Sequence, residues 1–196
     1  MSPLTREAFL LRGALAVGAT YGAGAVSPFV AAALGQPLTT DVTILNFALN
    51  LEQLEAAFYA DAIDMAPLSG DVLRLAQKLA ANEQAHVEAL TSAIKGLGGD
   101  PDPAPAFSWG GALDSQASFV KTAVQLEDIG VSAHNGAGPM LQDKKLLATA
   151  GSIVQVEARH AALVRALDGQ PPTVAAFDQT LTQPQVLELV ARYIQD

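Results

Sequence analysis

Two short stretches decide the fold: KLAANEQAHVEAL (residues 78–90) and SIVQVEARHAAL (residues 152–163). In each, apolar residues recur at the three- and four-residue spacing of an amphipathic α-helix. Each also places a glutamate and a histidine one turn apart on that apolar face: Glu83 with His86, and Glu157 with His160. A helix that buries this face must bury a carboxylate and an imidazole, which is unfavourable unless something compensates them.

Each Glu-x-x-His pair is preceded by another glutamate at a matching distance. Thirty residues separate Glu52 from Glu83, and 29 residues separate Glu127 from Glu157. Glu52 and Glu127 also lie on the apolar faces of predicted helices. The repeat therefore predicts two helical hairpins of one design, which bring all six side chains to the same depth of one core.

The periodic pattern predicts four long helices, with roughly the bounds 41–65, 71–97, 113–134 and 143–167. The first and last connections are short, as in antiparallel hairpins. The middle connection, GGDPDPAPAFSWGG, is long and rich in proline. Extended, it would span about 43 Å, which exceeds the roughly 39 Å length of a 26-residue helix. We therefore predict an all-α four-helix bundle over 41–168 in which a long crossover joins the second and third helices.

The predicted core contains four carboxylates that would repel one another if all were ionised. Two divalent cations would neutralise them, and carboxylate oxygen with imidazole nitrogen suits iron or manganese. A Glu from each of two helices and Glu-x-x-His from each of the other two is also the ligand pattern of di-iron and di-manganese bundles. The sequence thus predicts a centre of two iron ions, or manganese, with six ligands: Glu52, Glu83, His86, Glu127, Glu157 and His160.

Three further residues are candidates for the same region. Glu55, one turn from Glu52, is the alternative ligand on the first helix. His134, seven residues after Glu127, could bind a metal, hydrogen-bond a ligand or belong to the core. Tyr59, seven residues after Glu52, is a candidate catalytic residue that could hydrogen-bond a ligand or mediate electron transfer, or be a core tyrosine.

The stretch ILNFALNLEQLEAAFYADAI (residues 44–63) and the two Glu-x-x-His pairs resemble the ferritin-like di-iron carboxylate superfamily. The resemblance covers roughly residues 41–168. It is closest to the group that includes plant desiccation-related proteins and exported bacterial ferritin-like domains. It implies a ferritin-like four-helix bundle.

The same resemblance implies roles for the ligands. Glu83 and Glu157 would bridge the metals, Glu52 and Glu127 would be terminal carboxylates, and the two histidines would supply nitrogen. The implied activity is oxidation of Fe(II) or reduction of O₂ or peroxide, as in a ferroxidase, peroxidase or catalase. The alternative is a non-catalytic stress or desiccation-related envelope protein that uses the bundle as a scaffold. A homodimer is also expected, because dimers are common in this fold.

Composition excludes several classes of partner and site. The chain carries 11 Lys and Arg against 20 Asp and Glu, a net charge of −9, so it has no electrostatic footprint for nucleic acid. It contains no cysteine. Disulfides, iron–sulfur clusters, thiolate zinc sites and cysteine nucleophiles are therefore excluded.

Residues 1–35 have a different pattern from the rest. Arg6 and Arg12 precede a run without charged residues, from 13 to 34. This pattern predicts an export signal or an N-terminal anchor, with membrane association through residues 8–34. TREAFLLRG resembles a twin-arginine signal in which Glu7 replaces the second arginine. We expect export to the periplasm or cell envelope, with a cytoplasmic protein as the alternative. At the other end, residues 169–196 are predicted to form an extension with a short helix.

Overall fold

A computed structural model of the protein describes residues 37–195. This part of the chain is helical, with α1 (Asp41–Met65), α2 (Gly70–Gly96), α3 (Gln116–Ala137), α4 (Lys144–Leu167) and α5 (Gln183–Val190). The predicted all-α bundle is therefore confirmed. None of the described helices combines the length and apolar character that a membrane span requires. The predicted export or anchor segment lies outside the described residues.

The helix ends follow from local capping. The side chain of Thr40 accepts a hydrogen bond from the backbone of Thr43 and caps α1, which begins and ends where predicted. Helix α3 was predicted to start at residue 113 but starts three residues later. A 3₁₀ turn ends at Leu113, and Ser115 and Ser118 then form a capping box that sets the first turn of α3.

The long connection between α2 and α3 runs along α1 from its first turns to its end. The backbone N–H of Asp102 donates to Asn46 Oδ1 at 2.9 Å, and Gln53 Nε2 donates to the carbonyl of Asp102 at 3.0 Å. Near the far end of α1, Trp109 Nε1 donates to Asp61 Oδ2 at 2.6 Å. The connection therefore crosses the bundle from end to end, and α3 starts at the same end as α2 and runs parallel to it, as predicted.

The C-terminal extension packs on the outside of the bundle. Helix α5 buries Val186, Leu187 and Val190. The backbone of Leu181 donates to the carbonyl of Ser132 on α3 at 3.0 Å. A short antiparallel bridge between residues 107 and 194 ties the end of the chain to the crossover. The extension is thus part of the folded unit and covers α3 from outside.

The contact between the extension and α3 depends on the absence of a side chain at Gly136. A Cβ added there would lie 2.0 Å from the carbonyl oxygen of Leu181, which is backbone and has little freedom to move. We expect Gly136→Ala to displace the segment before α5 and to destabilise the protein by about 1–3 kcal/mol. Urea denaturation and limited proteolysis of the extension would measure both effects.

Gly151→Ala is the matched control, because a Cβ at that helical glycine on α4 meets no atom within 4 Å. The free energy of unfolding of this control should rise by up to about 1 kcal/mol, because alanine has a higher helix propensity than glycine. Equal proteolysis of the two variants would contradict the predicted role of Gly136.

Candidate metal centre

Four carboxylates lie in the middle of the bundle, one on each long helix. Glu52, Glu83, Glu127 and Glu157 each have 0% of their surface exposed. Each lies on the stripe of its helix that faces the other three, among buried leucine, valine and alanine side chains. The helical phase that predicted them is therefore the phase that the bundle adopts.

The structure brings all six predicted ligands together in two overlapping clusters. Within each cluster, one possible ligand atom per residue lies within 4.8 Å of every other. The first consists of Glu52, Glu83, His86 and Glu157, and the second of Glu83, Glu127, Glu157 and His160. Only Glu83 and Glu157 belong to both, so two carboxylates connect two four-residue sets.

The first cluster is compact around His86. Nδ1 of this ring lies 3.1 Å from Glu52 Oε2, 3.0 Å from Glu83 Oε2 and 3.0 Å from Glu157 Oε1. Two ligands on one cation, at right angles and with bonds of about 2.1 Å, would be about 3.0 Å apart. The distances from His86 Nδ1 to the three carboxylate oxygens therefore match the separation of ligand atoms that bind one cation.

The second cluster is looser around His160. Its Nδ1 lies 2.8 Å from Glu83 Oε1, but the two atoms do not form a hydrogen bond. Glu127 Oε2 and Glu157 Oε1 lie farther away, at 3.6 and 3.7 Å. The rings of His86 and His160 face each other with centroids 6.1 Å apart. Both histidines therefore present Nδ1 to the carboxylates, and the second set leaves more space.

The carboxylates of Glu52 and Glu127 are each held by a hydrogen bond from the other's helix, in a reciprocal arrangement between α1 and α3. His134 Nε2 on α3 donates to Glu52 Oε1 at 2.7 Å, and the hydroxyl of Tyr59 on α1 donates to Glu127 Oε1 at 2.5 Å. In each carboxylate the other oxygen, Oε2, faces the cluster. His134 and Tyr59 belong to neither cluster. The sequence left several roles open for His134 and Tyr59. In the structure, each of them donates a hydrogen bond to a predicted ligand.

Glu55 remains apart from the clusters. It is 2% exposed, but it belongs to neither cluster, and Glu52 occupies the position on α1 for which Glu55 was the alternative. Its Oε2 atom is buried without a hydrogen-bond partner. The structure therefore favours Glu52 over Glu55 as the α1 member of the first cluster.

Asn82 is a site residue that the sequence analysis missed. Its side-chain amide lies 2.8 Å from His160 Nε2, the ring nitrogen that faces away from the carboxylates. An amide donates through nitrogen to a bare Nε2 or accepts through oxygen from a protonated one, so it can support either tautomer. Asn82 lies outside the apolar stripe, so helical periodicity does not identify it. The only sequence feature that could have identified it is its position directly before the first Glu-x-x-His pair.

The electrostatics of the metal-free cluster differ from residue to residue. Burial lowers the pKa of His86, but the adjacent carboxylates of Glu157, Glu52 and Glu83 outweigh burial and raise it to about 12. Burial, with the charges of Glu157 and Glu83, raises the pKa of Glu127 well above its usual range. For Glu52, burial is outweighed by hydrogen bonds from the histidines, which lower its pKa. In the absence of metal, the cluster therefore depends on bound protons to limit its negative charge.

The donor atoms that have no partner fit two cations. Buried polar atoms normally find a hydrogen bond, and each exception requires an explanation. Here the buried atoms without a partner include Glu83 Oε1, Glu127 Oε2, both oxygens of Glu157 and His160 Nδ1. These five atoms belong to the two clusters, whereas the other unpartnered atoms, on Asn50, Gln53, Glu55 and Asp128, do not. Two cations bound between the clusters would satisfy these atoms and balance four carboxylates.

Comparison with known proteins agrees with this site. A family model for the ferritin-like domain matches residues 40–170, a range that contains all four long helices and both clusters. No curated protein sequence matches the chain significantly. The predicted link to the desiccation-related group stays a prediction. The matched range covers most of the chain, and the protein belongs to the ferritin-like domain family.

Proposed function

We propose that this protein is a dinuclear metal protein that binds two iron or manganese ions between its four long helices. The observation that carries the proposal is the pair of overlapping clusters that share Glu83 and Glu157. These two residues would bridge the ions. Glu52 with His86 would complete one ion's ligands, and the remaining pair, on α3 and α4, would complete the other's.

The proposed activity is oxidation of Fe(II) or reduction of O₂ or peroxide. Two bound iron or manganese ions would supply the electrons for such a reaction. The chain's own residues position and protect them. The first cluster is nearer to solvent, because 11% of the His86 side chain is exposed, against 3% of the His160 side chain in the second cluster. We infer that ions and small oxidants enter on the His86 side.

Tyr59 acts as a positioning residue in this proposal. The ring is fully buried, and burial together with the charge of Glu127 raises the pKa of its phenol well above the usual range. The hydroxyl therefore keeps its proton and donates a hydrogen bond to Glu127 Oε1. This bond leaves the other oxygen of Glu127 for the metal, as the bond from His134 does for Glu52.

A scaffold without metal explains the site less well. Buried carboxylates destabilise a bundle unless they are paired, and apolar residues of similar volume would be at least as stable in their place. In a scaffold without metal, the cluster atoms that lack a hydrogen bond would have no binding partner at all. A role in stress protection is compatible with metal binding, but the bundle does not require it.

Metal content and reactivity test the proposal together. We expect about two iron or manganese ions per chain after anaerobic loading, and near-complete loss of both in Glu83→Ala and Glu157→Ala, since each removes a shared ligand. Elemental analysis measures the loading. Stopped-flow absorbance after mixing the ferrous protein with O₂, and separately with hydrogen peroxide, measures the reaction.

The control is Glu88→Ala, which removes an exposed carboxylate from the same helix as Glu83. It should load and react as the unmodified protein does. A folded protein that stays metal-free after supply of both metals would overturn the proposal in favour of a scaffold.

Glu157→Gln should stabilise the metal-free protein but reduce the stabilisation that metal binding provides. After burial, the charge of Glu157 is the next cause that raises the pKa of Glu55 and Glu127, and it opposes the lowering at Glu52, so its removal relieves repulsion when no cation is present. We expect the metal-free variant to be about 1–2 kcal/mol more stable than the parent. The stabilisation that added Mn(II) gives the parent should shrink, because the variant binds the ion more weakly.

Thermal unfolding with and without Mn(II) measures both effects, and Glu88→Gln should change neither. A loss of stability in the metal-free Glu157→Gln variant would show that this carboxylate has a structural role that does not depend on cations.

Metal loading should release protons. The raised pKa of His86, about 12, keeps its ring protonated in the metal-free protein at pH 7, and Nδ1 must lose its proton to bind a cation. Glu127, whose pKa is also raised, adds to the release. We expect about one proton or more per chain, and an affinity that rises with pH. Calorimetric titration with Mn(II) in two buffers of different ionisation enthalpy measures this release, and identical heats in both would exclude it.

A further inference from the structure

The two halves of the predicted metal centre are related by a repeat, and one of the positions at which the halves differ lies beside the second cluster. Glu52 and Glu127 are equivalent, and each is followed after seven residues by the side chain that hydrogen-bonds the other: Tyr59 on α1 and His134 on α3. Three residues after the glutamate, the helices differ. Helix α1 has Glu55, and α3 has a glycine.

The glycine is Gly130, and Glu55 fills the space that it leaves. A Cβ added at Gly130 would lie 2.7 Å from Glu55 Oε1, closer than real contacts allow. Glycine weakens the interior of a helix, so its presence in the middle of α3 calls for a reason. The reason that the structure offers is the close approach of this carboxylate to the backbone of α3, one turn after Glu127.

Glu55 has no partner among the described residues. It forms no hydrogen bond or ion pair with them, and Oε2 is fully buried without a hydrogen-bond partner. Burial raises the pKa of Glu55, and the charges of all four cluster carboxylates raise it further, Glu157 the most and Glu127 next. A buried carboxylate surrounded by like charges is unfavourable in a purely structural role. A nearby cation would reverse that balance.

We propose that Glu55 is a seventh metal-binding side chain, which ligates the cation held by Glu127 and His160. The second cluster has the space for it, because His160 Nδ1 lies 3.6 and 3.7 Å from two of its carboxylates where His86 has all three within 3.1 Å. The two metal positions are then unequal, one with a carboxylate more than the other. This inference rests on the proposed dinuclear function.

Cobalt(II) titration of the full-length protein tests the assignment, since visible absorption reports ligand number and geometry. We expect two binding steps in the parent. Glu55→Gln, which keeps the shape of the side chain, should weaken one step about tenfold or more, change its spectrum, and leave the other step within about twofold.

A double-mutant comparison identifies the affected ion. If Glu55 serves the ion at Glu127, then Glu55→Gln should add little to Glu127→Gln but should add its full effect to Glu52→Gln. The reverse pattern would overturn the assignment to the second cluster.

Gly130→Ala tests the same carboxylate without changing any proposed ligand. The new methyl group should push Glu55 away and reproduce the weakened step, and Gly151→Ala on α4, where a Cβ meets no neighbour, should not. Should Gly130→Ala fail to fold, the result of Glu55→Gln decides alone.

The outcomes separate this inference from the function that it rests on. Absence of cobalt from the parent would remove both. Two tight steps that are the same in parent and Glu55→Gln would remove only the role of Glu55. Equal weakening of both steps would also overturn it, because Glu55 would then act through the overall charge of the cavity and not as a ligand.

Discussion

The structure depends on how the bundle tolerates four carboxylates that are completely removed from water. Their surroundings are apolar, and the nearest polar groups come from the protein itself. Two oxygens are satisfied by donors across the bundle, from His134 and Tyr59, and His86 contacts three more. Three carboxylate oxygens remain without either contact: Glu83 Oε1, Glu127 Oε2 and Glu157 Oε2. Cations account for this arrangement more simply than any arrangement of protons does.

The same groups connect the fold to the site. The reciprocal bonds between α1 and α3 lie at the level of the clusters, so they fix the relative height of these two helices as well as the orientation of Glu52 and Glu127. Helices α2 and α4 pack on each other much less than each packs on its own hairpin partner. They meet through Glu83 and Glu157, which both clusters share. Bound metal would therefore add a link between two helices that pack on each other less than the helices within either hairpin do.

The six predicted ligands could be identified from the sequence because helical phase alone places each of them on the buried face of its helix. Sequence reasoning was less successful wherever the answer depends on contacts between helices. Glu52 and Glu55 are one turn apart, and only the packing of α1 against α3 decides which of them joins a cluster. The role of His134 also needed the position of Glu52 on another helix. Asn82 lies off the buried stripe and becomes relevant only because His160 approaches it from α4. The late start of α3 arose from a 3₁₀ turn that hydrophobic periodicity does not reveal.

The near-symmetry of the centre makes its asymmetries informative. On the first side, His86 is partly exposed and its ring contacts three carboxylates at about the same distance. On the second side, His160 is held by Asn82, is almost completely buried, and has carboxylates at unequal distances. In the proposed centre, an ion on the first side would meet preformed spacing and solvent. An ion on the second side would have to pass deeper and draw the side chains inward, a rearrangement that costs free energy unless additional ligand atoms compensate it. The two positions therefore differ in access and preorganisation, even though the sequence repeat that builds them is nearly the same.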